Sequence, residues 1–213
     1  MSYQNVELKY NIKSLEPLLS EESFVNHYHR LYNKFTKDLN NMLEIYSEFK
    51  KYPLDVLLYN YQDLPPYIKL PLLNTGSNYY NHTLFFENIE SPSQTSICSE
   101  FNKAINDAFG SMESLQAILK KALMAIEGSG WVFLTCDICN NLHIKSYQDH
   151  YNPLIDQKVP LLAIDNWEHA YIFQYKEKRS FYINNIIKLI NWNKVSERFL
   201  AVDFTKYQVK IDI

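Results

Sequence analysis

The sequence predicts an α+β chain: an N-terminal hairpin of long helices, then an α/β domain built on a three-stranded antiparallel sheet. Three observations predict it. Apolar residues recur at spacings of three and four across residues 21–51, which is a helical period. Three strand-like runs follow one another between residues 131 and 167. Glu90–Ser96, rich in Ser with a Pro, separates the two regions as a linker and sets the expected domains at 1–90 and 97–213. Helices, then strands, then helices again is the α+β order.

The first helix is expected over Glu21–Lys51, with Phe24, His27, Tyr28, Leu31, Tyr32, Phe35, Leu39, Met42, Leu43, Tyr46 and Phe49 on one stripe. Ser20 is its cap, with Glu21 and Glu22 at its positive end. A short helix covers Leu54–Tyr61, and Asp63-Leu-Pro-Pro66 breaks it. The return helix runs from about Leu70 to Ile89 and carries His82. Beyond the linker, helices are expected at Ser99–Phe109 and Ser111–Ile126, the second ended by Gly128-Ser-Gly130. Strands are expected at Trp131–Cys136, Leu142–Gln148 and Leu161–Trp167, with a turn at Cys139-Asn-Asn141. Helix resumes over Ala170–Leu200.

Composition excludes several classes. A length of 213 residues is enough to bury a core, and a net charge of −3 carries no bias toward nucleic acid or anionic membranes. No apolar run reaches the roughly 18 residues of a membrane span. Met1–Tyr10 lacks signal-peptide or transit-peptide character, so a cytoplasmic location is expected, or the mitochondrial matrix if a presequence was removed. Three Cys make no disulfide framework.

Four residues carry the chemistry. His27 and His82 lie on the two hairpin helices; Asp165 and His169 lie at and just after the third strand. Three imidazoles and a carboxylate can hold a redox-active transition metal and leave a coordination position open. Singly each is weak: a His on an apolar helix face is more often a core residue, and an Asp at a strand end is more often a cap. Only their meeting would favour a site, which would then staple the two regions together.

Several segments resemble the manganese/iron superoxide dismutase family: Leu15-Glu-Pro17, Tyr80-Asn-His82-Thr, Ala104-Ile-Asn-Asp-Ala-Phe-Gly-Ser111, Gly128-Ser-Gly-Trp131, Pro160-Leu-Leu-Ala-Ile-Asp-Asn-Trp-Glu-His-Ala-Tyr171 and Asn191-Trp192. The resemblance runs in order over about residues 1–200. It implies a helical hairpin followed by an α/β domain. It also implies His27, His82, Asp165 and His169 as ligands of one manganese (alternatively iron) per subunit, with a bound solvent as fifth ligand. The implied activity is conversion of superoxide to dioxygen and hydrogen peroxide as the metal cycles between +3 and +2. A homodimer is implied, with Glu168 reaching the partner's ligand His.

By the same resemblance, Gln148 in Tyr147-Gln-Asp149 is the glutamine set against the bound solvent in manganese-type members. Asn78 holds the position from which iron-type members supply theirs. Trp131 and Trp167 are aromatic walls, and Arg179 matches an arginine near the mouth. The departures are specific. Leu31 and Phe35 replace a His and a Tyr that relay protons, and Ile172 replaces a Tyr that bonds that His across the dimer. Phe86 and Phe133 stand where Trp is usual. Replacing both partners of a hydrogen bond by apolar groups can be nearly neutral for stability.

Those departures support an alternative: a superoxide-dismutase-like structural subunit with weakened catalysis, as in mitochondrial ribosomes. The tail, Val202–Ile213, alternates apolar and polar residues and reads either as a strand able to pair with a sheet edge, here or on a protein partner, or as a frayed terminus. Cys136-Asp-Ile-Cys139 reads as a turn with ordinary thiols. His29, His143 and His150 have no ligand-like spacing, and Lys176–Arg179 is too short for nucleic acid.

Overall fold

The first helix starts where its cap chemistry places it. The Ser20 hydroxyl accepts a hydrogen bond from Ser23 N, and α1 (Glu21–Val25) carries both acids in its first turn. In this computed structural model, which describes residues 2–92 and 96–212, α1 runs on through a π-helical turn, Asn26–Tyr32, into α2 (Asn33–Ile45). The helix stops six residues short of the expected Lys51 (45 against 51). Tyr46 leaves helical geometry and a short turn, Ser47–Phe49, drives Phe49 into the core. After α3 (Leu54–Tyr59) the return helix begins earlier than expected, at α4 (Pro66–Pro71). Pro66 is the first helical residue, where a missing N–H costs nothing. Pro71 then supplies no N–H to the helix, and the chain passes through a second π-helical turn, Leu72–Ser77, into α5 (Asn78–Asn88). The Tyr32 and Thr83 hydroxyls, 2.6 Å apart, join the two limbs of the hairpin.

The expected linker at Glu90–Ser96 includes residues 93–95, which lie outside the described part. Next come α6 (Ser99–Phe109) and α7 (Met112–Ala125), the latter capped by Ser111. Strands β1 (Gly130–Cys136), β2 (Leu142–Gln148) and β3 (Val159–Asp165) form one antiparallel sheet in the order β2-β1-β3. β1 and β3 are buried at every position, the pattern of strands covered on both faces. Gly130 is required at the start of β1, because a Cβ there would strike the Tyr147 carbonyl. The β1–β2 turn is organised by Asp137, whose carboxylate accepts from Cys139 N, Asn141 N and the His143 ring. Cys136 is buried and Cys139 exposed, as ordinary thiols of a turn. The third strand sits two residues earlier than expected, so Asp165 is its last residue.

The expected helix over Ala170–Leu200 is three helices: α8 (Glu168–Tyr175), α9 (Arg179–Ile186) and α10 (Trp192–Leu200). Lys176 breaks it with a φ of 52°, and Ile190 breaks it by running extended to bridge Ile89. That bridge, with Glu90 N donating to Leu189 O and Asn191 N to Asn88 O, ties the end of α5 to the C-terminal helices. One continuous apolar core spans hairpin and sheet. Among the described residues, no helix is long and apolar enough to cross a membrane.

The tail is not the expected strand. Asp203 caps a short helical turn, Phe204–Tyr207, and Tyr207 is buried against Tyr59, rings parallel and 4.2 Å apart. Lys206 pairs with Asp55, while Lys51 and Tyr52 bind the Asp212 carbonyl. The aromatic anchor and these polar contacts hold the tail on its own N-terminal helices, and no described residue of it joins the sheet. Ile213 lies outside the described part.

Candidate metal centre

Four chain segments deliver one polar atom each to a common point. His27 comes from the π-helical turn, His82 from the first half of α5, Asp165 from the end of β3 and His169 from the first turn of α8. Their candidate ligand atoms all lie within 4.8 Å of one another. The Asp165 Oδ2 is 3.2 Å from His27 Nε2, 3.5 Å from His82 Nε2 and 3.1 Å from His169 Nε2. Donors about 2.1 Å from one ion would be about 3–3.6 Å apart, so the spacing fits a transition-metal ion. His27 Nε2 faces the carboxylate yet has no hydrogen-bond partner, and His82 Nε2 faces His169 Nε2 at 3.3 Å. The hydrogen bonds that His169 Nε2 can make to the carboxylate and to His82 leave this buried cluster only partly satisfied, and a cation satisfies it as a whole.

Each donor is oriented by the fold. His82 Nδ1 donates to Asn78 O, 2.7 Å away and one helical turn back, which turns its Nε2 lone pair inward. Asp165 Oδ1 accepts from Trp167 N at 2.8 Å, and the Tyr182 hydroxyl donates to the Asp165 carbonyl at 2.7 Å. Burial pushes His27 down and His82 well down from the ordinary imidazole range. Burial alone would raise the Asp165 carboxyl, but His169 and His27 hold it well below the usual range. Burial thus favours the unprotonated imidazole at His27 and His82, and the Asp165 carboxyl is held ionised, the state that metal binding needs of these three donors.

The surround is aromatic. Phe35 lies 4.6 Å from the His82 ring and Trp131 4.9 Å; Phe86 lies 4.9 Å from His27. Trp167 stacks on His169 at 5.6 Å. Asn78 is buried beside His82 with its Oδ1 unpartnered. Leu31, Glu168 and Ile172 line an open pocket beside His169, together with Arg30 and Phe173.

Two expectations need correction. Gln148 ends β2 on the solvent face and is exposed. Asp149 takes a left-handed turn, φ 51°, and the residue carried inward is His150, whose ring stacks on Trp167 at 4.6 Å. Burial pushes His150 down, against an opposing pull from Asp165. Arg179 is not free at a mouth: its guanidinium donates to Ile126 O at 2.8 Å and Met124 O at 3.2 Å, closing the C-terminal end of α7. Arg30 is the arginine that lines the pocket beside His169. Neither His150 nor Arg30 has a spacing that would have revealed it.

Comparison with known proteins agrees with this geometry. Residues 97–198 match the family model for iron/manganese superoxide dismutases, C-terminal domain. The chain is 31% identical over 193 residues to the manganese superoxide dismutase of Thermus thermophilus, an alignment covering 91% of this chain and 95% of that protein.

Proposed function

The chain belongs to the iron/manganese superoxide dismutase family, and we propose that it dismutates superoxide at a single ion held by His27, His82, Asp165 and His169. The convergence of those four donors in a buried pocket carries the reading. We take the ion to be manganese, as in the named relative, with iron the alternative; exposed Gln148 no longer supports that choice. When bound, the ion supplies a one-electron relay, so that two superoxides and two protons give dioxygen and hydrogen peroxide. The chain keeps His27, His82 and Asp165 deprotonated, excludes water with Phe35, Phe86, Trp131 and Trp167, and admits a small anion past Leu31 and Arg30. The test is the dismutation rate per bound manganese. A value of ~10⁸–10⁹ M⁻¹s⁻¹ supports the reading, and a negligible rate at full occupancy defeats it.

A second copy is the proposed cover for the apolar face formed by Leu31, Ile172 and Phe173, the last two 41% and 44% exposed beside His169. The structural-subunit reading has less support, because the tail offered to a partner is bound in cis.

Proton delivery is the altered step. Neither Leu31 nor Phe35 has a proton to give. Restoring the family's groups with Leu31→His, Phe35→Tyr and Ile172→Tyr is expected to raise the proton-limited rate by roughly 10-fold or more. Stopped-flow turnover at high superoxide reads this. No gain in a folded, fully loaded triple variant would remove the idea.

A further inference from the structure

The N-terminal segment lies across the helical hairpin as an extended strap. Its first half is bonded through its backbone. Asn40 accepts from Tyr3 N at 2.8 Å and donates to Tyr3 O at 2.9 Å, and the Tyr79 hydroxyl donates to Gln4 O at 2.6 Å. Val6 N donates to the Tyr32 hydroxyl at 3.3 Å, and the Tyr28 hydroxyl donates to Val6 O. Beyond Val6 the next fastening is Tyr10, whose hydroxyl donates to Phe86 O at 3.4 Å. Among the described residues, no hydrogen bond ties the backbone of Glu7, Leu8 or Lys9, and Leu8 holds this stretch only by packing on the core. A segment with so few bonds to lose is one that opens locally. Beneath Val6–Tyr10 is a cavity of about 320 Å³. Phe86 lines it and is also packed on a candidate ligand, its ring 4.9 Å from the His27 ring. The rim carries Glu7, Glu87, Glu90 and Glu197 against Lys9 and Lys194; Lys194 faces Glu197 at 3.2 Å, and Arg198 pairs with Glu87 at 2.8 Å. The opening beside His169 is different: it carries Arg30 and Glu168 among apolar residues and is the face proposed for a second copy.

We propose that Val6–Tyr10 is a hinged lid over the route by which the metal ion is loaded, with Phe86 the inner door to His27 and the carboxylates of the cavity gathering the cation. The proposal rests on the metal-centre reading above. His27, His82 and Asp165 are at most 3% exposed, so an ion reaches them only if something moves. Lifting the strap breaks the fastenings at Val6 and Tyr10, after which one ring stands between the cavity and His27. The hairpin and the sheet stay packed on each other. The loading rate then scales with the fraction of chains whose strap is open.

The test uses the full chain, freed of metal with a chelator, and cobalt(II), whose visible bands report arrival of the ion in its site without any turnover. The rate constant of uptake is read from those bands and the final occupancy by mass spectrometry. Tyr10→Phe keeps the ring and removes the strap's outer fastening; it is expected to load about 3–10-fold faster, to the same final occupancy. Glu7→Gln removes one carboxylate from the lid itself; it should load about 2–3-fold more slowly at low salt, and the difference should vanish at high salt. Arg30→Glu, at the other opening, should leave the loading rate unchanged. An unchanged rate in Tyr10→Phe, no slowing in Glu7→Gln, or faster loading in Arg30→Glu overturns the proposal. A chain that loads with the expected pattern but does not dismutate superoxide with manganese defeats only the functional reading. A folded chain that takes up no cobalt overturns both.

Discussion

Asp165→Asn is expected to leave a folded chain that retains no metal after dialysis and dismutates superoxide at least about 100-fold more slowly. Asn keeps the volume of the side chain and can still accept from Trp167 N through Oδ1. What it removes is the one anion among the four donors. The change is severe because Asp165 is fully buried and three imidazole nitrogens lie 3.1–3.5 Å from a single carboxylate oxygen. A neutral amide offers that point no charge, and a divalent ion would have to leave water for uncharged ligands in an aromatic pocket. Three readings separate the causes: metal per chain by mass spectrometry, near-ultraviolet circular dichroism for packing, and the superoxide assay. A variant with native metal content and native rate would sink the assignment. Loss of the near-ultraviolet signal would make Asp165 a structural residue first.

The four donors were legible as candidates by residue type and position, and as a ligand set through the resemblance of the motifs around them to the superoxide dismutase family. His27 falls on the stripe of the first helix, His82 on the return helix, and Asp165 and His169 four residues apart at a strand-to-helix junction. Helix ends were less legible, since they depend on single backbone choices: Tyr46 leaving helical angles, Pro66 opening a helix, and Lys176 at positive φ closing one. That Gln148 faces solvent while His150 packs on Trp167 turns on the same kind of choice. A strand pattern continued past Gln148 gives no warning that Asp149 adopts a left-handed conformation, which Asp tolerates better than most residues. Arg179 was misplaced because its partners, the carbonyls of Met124 and Ile126, are more than fifty positions away in the chain.

Tyr207→Ala is expected to destabilise the chain by about 3–5 kcal/mol. At 2–4 °C per kcal/mol for a chain of this size, the melting temperature should fall by roughly 10 °C. The side chain is 2% exposed, and its ring lies flat on Tyr59 at 4.2 Å. Its backbone carbonyl accepts from Asn60 Nδ2 at 3.1 Å, so the anchor also fixes the turn that follows α3. The sequence allowed a different outcome, since alternating residues at the end of a chain could equally serve a partner's sheet edge. The two ideas differ in what the isolated chain loses. A tail reserved for a partner contributes nothing until the partner arrives, so Tyr207→Ala would shift the melting temperature by no more than about 1 °C. A tail that completes this chain's own hairpin contributes in isolation, and Tyr207→Phe, which keeps the stacked ring, should stay near wild type. Differential scanning calorimetry of the two variants at matched metal content decides between them. A null result for Tyr207→Ala would return the tail to the role of a docking element and strengthen the structural-subunit reading.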